Sequence, residues 1–370
     1  MSRATVATIH LGALRRNFAR VRERAGGAKI MAVVKADGYG HGLERVASAL
    51  SDADAFGVAA LGDGLRLRAA GITKRIVVLS GPDEAADLPE FQRLQLDAVI
   101  HHESQLTWLE ADRNMLSTGA RSVRVWLKLD TGMHRLGFAP ERAREVHARL
   151  RALANIDADI VLMTHFAASD EFDNHITAEQ IARFDAIARE ISGERALANS
   201  AGVLGWPSAR GADPGPYWVR VGGLLYGLSV IDGKSGADIG FEPVMTLSTK
   251  LIAVNRVRKG ERVGYAATWE CPEDMNIGVA AIGYGDGYPR SAPAGTPVLV
   301  DGARAAIVGR VSMDLITIDL RGAPDAKIGD RVVLWGGQLP VETIAAHAGT
   351  ISYDLTCGMT KRVLFVEDQA

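Results

Sequence analysis

Cysteine is nearly absent: only Cys271 and Cys357 occur in 370 residues. Their wide separation matches no zinc motif and no dense disulfide framework, which leaves a reducing compartment as the expectation. Charge of one sign is lacking too, with 42 basic against 44 acidic residues and a net charge of -2. Such a balance offers no long-range attraction for nucleic acid or for an anionic membrane surface, and neither is expected as a partner. Long apolar runs are missing: no stretch reaches the roughly 18 uncharged apolar residues of a membrane span. The first 21 residues are broken by Arg, His and Asn before any signal-peptide core forms, so the cytoplasm is the expected location. No internal repeat and no low-complexity tract is found.

What the chain does have is enough apolar content, 47% hydrophobic residues, for a sizeable core. Its length exceeds what one core usually supports, so two domains are expected. Residues 11 to 24 place Leu11, Leu14, Phe18 and Val21 on one face with arginines opposite, the pattern of a surface helix. KIMAVV (29 to 34) follows, and similar apolar runs recur at 55 to 59, 75 to 80, 97 to 100, 123 to 129, 158 to 163, 195 to 199 and 217 to 221. Helical stretches separate most of them, at 62 to 70, 82 to 94, 103 to 112, 140 to 153 and 177 to 191, while 200 to 216 is only partly helical. Eight such strand and helix pairs are the count of an α/β (β/α)8 TIM barrel, with a doubly wound sheet as the alternative. Past residue 235 the alternation stops. Strand-like runs at 244 to 257, 276 to 283, 296 to 309, 314 to 320, 330 to 336 and 361 to 367 predict a mostly β C-terminal domain. It includes a hairpin turning at Asp301-Gly302 and one helix at 341 to 349. The expected division is residues 1–235 for the barrel and 236–370 for the β domain.

In a barrel, chemistry gathers at the C-terminal ends of the strands. Lys35 directly follows KIMAVV, Asp130 and the TGMHR loop follow the fifth strand, His165 follows the sixth, Asn199 ends the seventh and Arg220 ends the eighth. A partly desolvated lysine can lose its proton and form a Schiff base with a carbonyl compound. The plainer alternative is a lysine that reaches solvent or pairs with Asp37. His165 and Arg220 have plain alternatives as well, a satisfied strand-end histidine and a surface arginine. His101 and His102 read as turn residues. No HExxH or 2-His-carboxylate spacing supports a metal, and the glycines at 38 to 42 and 222 to 223 match neither a P-loop nor a dinucleotide fingerprint. The β domain adds GYAATW (264 to 269) and IGYGDGYPR (282 to 290), whose phenols are candidates for acid–base work.

Together AVVKADGYGHG (32 to 42), WLKLDTGMHRLGF (126 to 138), MTHFAASD (163 to 170), LANSAG (197 to 202), VRVGGLLYG (219 to 227), RVGYAATW (262 to 269), IGYGDGYPR and IVGRVSMDLITID (307 to 319) resemble, in order, the motifs of the alanine racemase family of fold-type III pyridoxal-phosphate enzymes. The resemblance spans nearly the whole chain. It implies a PLP-dependent isomerase that interconverts L- and D-alanine by a two-base mechanism and supplies D-alanine for peptidoglycan. Lys35 would hold pyridoxal 5'-phosphate and act as one base, with Tyr265 as the other. Tyr39, Ser200, Gly222 and Gly223 would cradle the phosphate beside Asn199. Arg220 would face the pyridine nitrogen with His165 behind it. Arg135 and the Met313 N–H would receive the substrate carboxylate, with Lys128, carbamylated, steadying Arg135. Tyr284, Arg290, Arg310 and Asp170 would line the entrance. The family's antiparallel homodimer would bring Tyr265 to the partner's Lys35. The chain departs from the family at Lys361, which stands where well-known members carry a tyrosine that touches the phosphate and narrows the entrance. Gly223 also replaces a common larger apolar residue. A broad-specificity or serine racemase of the same fold is therefore the alternative function, and a barrel-only cofactor carrier would lack residues 236–370.

Overall fold

In the computed structural model, residues 4–111, 122–211 and 217–369 are described. The chain separates into two units, one of residues Phe18–Leu225 and Val230–Asp232, the other of Met1–Asn17, Tyr226–Ser229 and Gly233–Ala370.

The first unit is a closed barrel of eight parallel strands: Lys29–Val33, Ala55–Val58, Arg75–Val78, Asp97–Ile100, Val125–Lys128, Val161–Met163, Arg195–Ala196 and Tyr217–Val221. Each lies within a run expected from the sequence, and the last pairs with the first through Ile30↔Val219. These runs are apolar on both faces because helices cover the outside and side chains fill the inside. Met31, Ala55, Val77, Val99, Trp126, Val161, Met163, Ala196 and Trp218 form that buried interior. Because side chains alternate along a strand, the residues two positions further on also face inward, at the C-terminal mouth. From Val99, Trp126, Met163 and Trp218 this step gives His101, Lys128, His165 and Arg220.

Two positions in the other direction lies the barrel floor. The Arg75 guanidinium sits 5.4 Å from the Trp126 ring centre and 5.2 Å from that of Trp218, rings that meet edge-on at 5.3 Å. Trp126 Nε1 donates to Asp97 Oδ2 at 2.8 Å, and Trp218 Nε1 donates to Glu194 Oε2 at 2.6 Å. Arg75 Nε donates to the same Asp97 oxygen. Asp97 is only 2% exposed, and burial pushes its carboxyl up in spite of Arg75. Desolvation of this kind makes a buried pair a poor source of net stability and its breakage expensive. Asp97→Ala is expected to destabilise the barrel by about 3–5 kcal/mol, because Arg75 and the Trp126 N–H lose their acceptor together. Denaturant unfolding would show this as a lower midpoint; a shift below about 1 kcal/mol would mean that water satisfies both donors.

The second unit is an eight-stranded sheet. Its long strand Met245–Val257 pairs near its start with Val6–His10 and Arg331–Trp335 and over its second half with Met275–Ala280. Ile316–Asp319, Ala303–Val308 and Pro297–Val300 complete a cycle of antiparallel pairings, and Leu364–Asp368 runs parallel to Val6–His10. The hairpin turns at Asp301 and Gly302, both left-handed at φ 48° and 85°, as a tight two-residue turn requires. Helix Val341–Ala348 is where the sequence places it, while helix Ser352–Cys357 is additional. The N-terminal strand Val6–His10 belongs to this sheet, so residues up to Asn17 go with the C-terminal unit and a single cut at 235 does not describe the chain. Helix Leu11–Arg24 follows it, with Leu11, Leu14, Phe18 and Val21 buried as their spacing predicts.

Candidate active site

The barrel mouth gathers cations: Lys35, Lys128, Arg135 and Arg220 all act on His165. Arg220 is buried, its NH1 donating to Ala196 O at 2.6 Å and its NH2 to Thr164 O at 2.7 Å and Leu197 O at 3.2 Å. These carbonyls belong to the ends of the sixth and seventh strands, and they fix the guanidinium across the mouth. Its Nε takes part in none of these three bonds. His165 Nδ1 lies 3.3 Å from Arg220 NH2. Since arginine only donates, Nδ1 accepts and the neutral ring carries its proton on Nε2. Burial, with Arg220, Lys128, Arg135 and Lys35 nearby, holds the His165 imidazole well below the usual histidine range. Burial also lowers Arg220 to about 10.

Lys128, 7% exposed, is lowered to about 8, first by burial and then by Arg220, Arg135 and Lys35. Between pH 8 and its ordinary 10.5 the unfolded chain binds a proton that the folded chain lacks, so stability rises with pH across that window. Below it the penalty is present in full. Lys128→Met is accordingly expected to be more stable than the parent at pH 7, by up to about 3 kcal/mol, with the difference shrinking towards pH 10. Denaturant midpoints taken across that range test it, and a gap that does not change with pH would rule out the ammonium as its cause.

The loops that carry sequence-predicted site residues, in both units, are strained and tethered. Among the described residues, six of the eight non-glycine residues with left-handed φ flank sequence-predicted site residues: Ala36, Asp37 and Tyr39 after Lys35, His134 before Arg135, and Ala266 and Ala267 after Tyr265. With Gly38 and Gly40 the first group makes five consecutive left-handed residues, at roughly 1–2 kcal/mol for each one that is not glycine. Strain of this sort persists where neighbours over-determine it, typically at functional sites. The turn aims the Tyr39 hydroxyl at Gly222, where a Cβ would lie 2.4 Å from it. Gly222 N donates to Ser200 Oγ at 3.0 Å, so Tyr39, Ser200 and Gly222 meet at one place. Gly223 opens the short turn Gly223–Tyr226 beside them. Asn199 is engaged otherwise: its Oδ1 caps helix Ser200–Gly205 at Gly202 N, 2.9 Å, and accepts from Ser169 Oγ at 2.9 Å. The Arg135 loop is held by Asp130 Oδ1, which accepts from the N–H groups of Gly132, Met133 and His134 at 3.0, 3.1 and 3.0 Å. Lys35 and Arg135 are themselves exposed.

The second unit carries Tyr265, 71% exposed, and a separate pair, Tyr284 and Met313. Tyr284 N donates to Ser312 O at 3.1 Å and Gly285 N to Met313 O at 2.9 Å, a close approach that any Cβ at Gly283 would block. Arg290, Arg310 and Asp170 are exposed. Among the described residues no group of three His, Cys, Asp or Glu side chains suits a metal, and no helix is long and apolar enough to cross a membrane.

Sequence reasoning passed over His101. It is not simply a turn residue: its Nε2 donates to Ser80 O at 2.9 Å, and the Lys128 charge helps to lower its pKa behind burial. Counting two residues on from the inward Val99 would have found it.

A phosphate-bearing aldehyde cofactor fits this mouth. Tyr39 and Ser200 supply hydroxyls for a phosphate, Arg220 Nε a donor for a ring nitrogen, and Lys35 an amine. Comparison with known proteins agrees with that chemistry. Residues 9–230 match the family model for the alanine racemase N-terminal domain, and residues 244–366 match that for the C-terminal domain. The chain is 49% identical over 357 residues to the alanine racemase of Shewanella baltica, covering 96% of this chain and 97% of that one. Its fold superposes on the biosynthetic alanine racemase of Pseudomonas aeruginosa with a TM-score of 0.93 at 42% identity, covering 99% of this chain and all of the other. The alanine racemase of Acinetobacter baumannii follows with 0.91 at 35%, again over 99% of this chain. With matching domain models over most of its length and relatives nearly half identical end to end, the chain belongs to the alanine racemase family.

Proposed function

We propose that this chain interconverts L- and D-alanine in the cytoplasm, using pyridoxal 5'-phosphate, as a homodimer with shared sites. The observation that carries the reading is the mouth itself: Arg220, Arg135 and Lys35 all act on Lys128, the same four cations surround His165, and Asp130 opposes them on Lys128 as the smaller influence. A doubly anionic ligand set, phosphate plus substrate carboxylate, neutralises such a field. When bound, the cofactor supplies an electron-withdrawing system that lets the α-proton of an amino acid leave.

The chain's own groups do the rest. Lys35 Nζ holds the cofactor and takes or returns a proton on one face of the substrate carbon. Tyr265 Oη does the same on the other face, and a second base is needed because one anchored group reaches only one side. Arg135 and the Met313 N–H receive the carboxylate, with Lys128 steadying Arg135. Tyr39, Ser200 and the backbone at Gly222 and Gly223 hold the phosphate, with Asn199 fixing the loop that presents Ser200. Arg220, which can only donate, would face the ring nitrogen, and His165 braces Arg220. In this scheme the barrel unit binds the cofactor and the β unit, with Tyr265 and Tyr284, completes the partner's site.

The test is a racemisation assay over a panel of L-amino acids, followed by chiral chromatography. Alanine is expected to have the highest kcat/KM. Failure to racemise any amino acid with cofactor present overturns the proposal. The exposed Lys361 favours a second reading, a wider substrate range, which serine turnover at a rate comparable to alanine would establish.

A further inference from the structure

Five successive left-handed residues after Lys35, from Ala36 to Gly40, need something to hold them, and most of the tethers visible there are backbone. Gly40 N donates to Ala36 O at 3.0 Å, Gly42 N to Asp37 O at 2.8 Å, and Gly38 N back to Val34 O at 2.8 Å. One side chain of the turn, Asp37, joins it to the helices beyond. Its Oδ1 accepts from Leu43 N at 3.2 Å, at the start of helix Leu43–Ala49, and from Arg66 NH2 at 2.8 Å. Arg66 stands on helix Leu61–Ala69, after the second barrel strand, and grips Glu44 with both Nε and NH2 at 2.9 Å. Asp63 lies 3.9 Å from its NH1, and Asp37 and Glu44 both push the Asp63 carboxyl up behind burial. A single guanidinium thus sits among three carboxylates that would otherwise repel one another.

We propose that Arg66 is a positioning residue of the reaction: it locks Asp37, and through Asp37 the left-handed turn that carries Lys35 at one end and Tyr39 at the other. The inference rests on the reading of Lys35 and Tyr39 as cofactor residues. An isolated exposed ion pair contributes little, but a bidentate contact within a network is the exception. Losing Arg66 removes an attraction and also leaves Asp37 facing Glu44 and Asp63 unshielded. The carboxylate is then driven away from the turn at the point where Asp37 anchors it to helix Leu61–Ala69.

The experiment measures two things in Arg66→Ala, Arg66→Lys and the double variant Arg66→Ala/Glu44→Gln. The first is amide hydrogen exchange over residues 36–43 in cofactor-free protein. The second is the affinity of the same protein for added pyridoxal phosphate. Arg66→Ala is expected to speed exchange there and weaken cofactor binding, each about five- to tenfold, with exchange elsewhere in the barrel unchanged. Arg66→Lys, which keeps the charge and loses the fork, should fall between. Removing the Glu44 charge in the double variant should recover much of the loss, as should added salt. A purely structural arginine would respond to neither. Exchange and affinity within about twofold of the parent in Arg66→Ala, or an equal loss in the double variant, overturns the proposal. If the parent itself takes up no pyridoxal phosphate, the functional reading fails instead, and the exchange measurements still decide the part played by Arg66.

Discussion

Lys35→Ala is expected to lose racemisation by about four orders of magnitude or more, since the cofactor's anchor and one of the two bases go together. The fold should survive. Lys35 is exposed at the mouth and contributes no core packing, so the unfolding free energy should move by no more than about 0.5 kcal/mol. Borohydride treatment of the cofactor-loaded parent, followed by proteolysis and mass spectrometry, should fix a pyridoxyl group on the peptide containing Lys35. The same treatment of Lys35→Ala should fix none there. A label found on Lys128 instead would show that the buried lysine with the lowered pKa is the true anchor, and the assignment would have to move one layer deeper into the barrel. A variant that keeps even a tenth of parental activity would exclude Lys35 from proton transfer altogether.

The barrel was legible because its strands are covered on both faces. Runs such as KIMAVV and the fifth strand stand out as continuous apolar segments, and the period of two then carries the eye from Trp126 to Lys128 and from Trp218 to Arg220. The same period applied to Val99 leads to His101, but two adjacent histidines before a helix look like a turn when read without the strand beside them. The N-terminal strand was hidden for a different reason. Val6–His10 is half-exposed and only five residues long, and its partner strands lie about 240 and 360 residues away in the chain, so no local signal marks it as part of a sheet. The left-handed turn after Lys35 was equally opaque. Ala36 and Tyr39 have no intrinsic preference that would announce it, and the turn is held by its own backbone bonds together with a guanidinium from a later helix. Asn199 was assigned by its position at a strand end, whereas its side chain serves the backbone of the next helix. Local pattern finds residues that point into the mouth, and tertiary contacts decide which of them are occupied with holding the others.

Lys35→Ala and Tyr265→Phe, each nearly inactive alone, are expected to regain activity when mixed under conditions that allow subunits to exchange. The two residues fall in different units of the chain, one after the first barrel strand and the other in the β unit, where Tyr265 stands 71% exposed on a strained backbone. An exposed phenol on a strained turn has little structural purpose within its own unit, and it is well suited to completing a site on another copy of the chain. If each site combines Lys35 of one subunit with Tyr265 of the other, a mixed dimer carries one site with both bases and one with neither. Random reassociation of equal amounts gives about half mixed dimers, each with one intact site of two, hence roughly a quarter of parental activity if the sites are independent. If both bases belonged to the same chain, every site in every mixture would still lack one of them and nothing would be recovered. Exchange must be verified separately, for instance with mass-tagged subunits and native mass spectrometry. Mixed dimers seen at the expected share, with activity no higher than that of the two parents, would refute the shared site and leave the exposure of Tyr265 without a purpose.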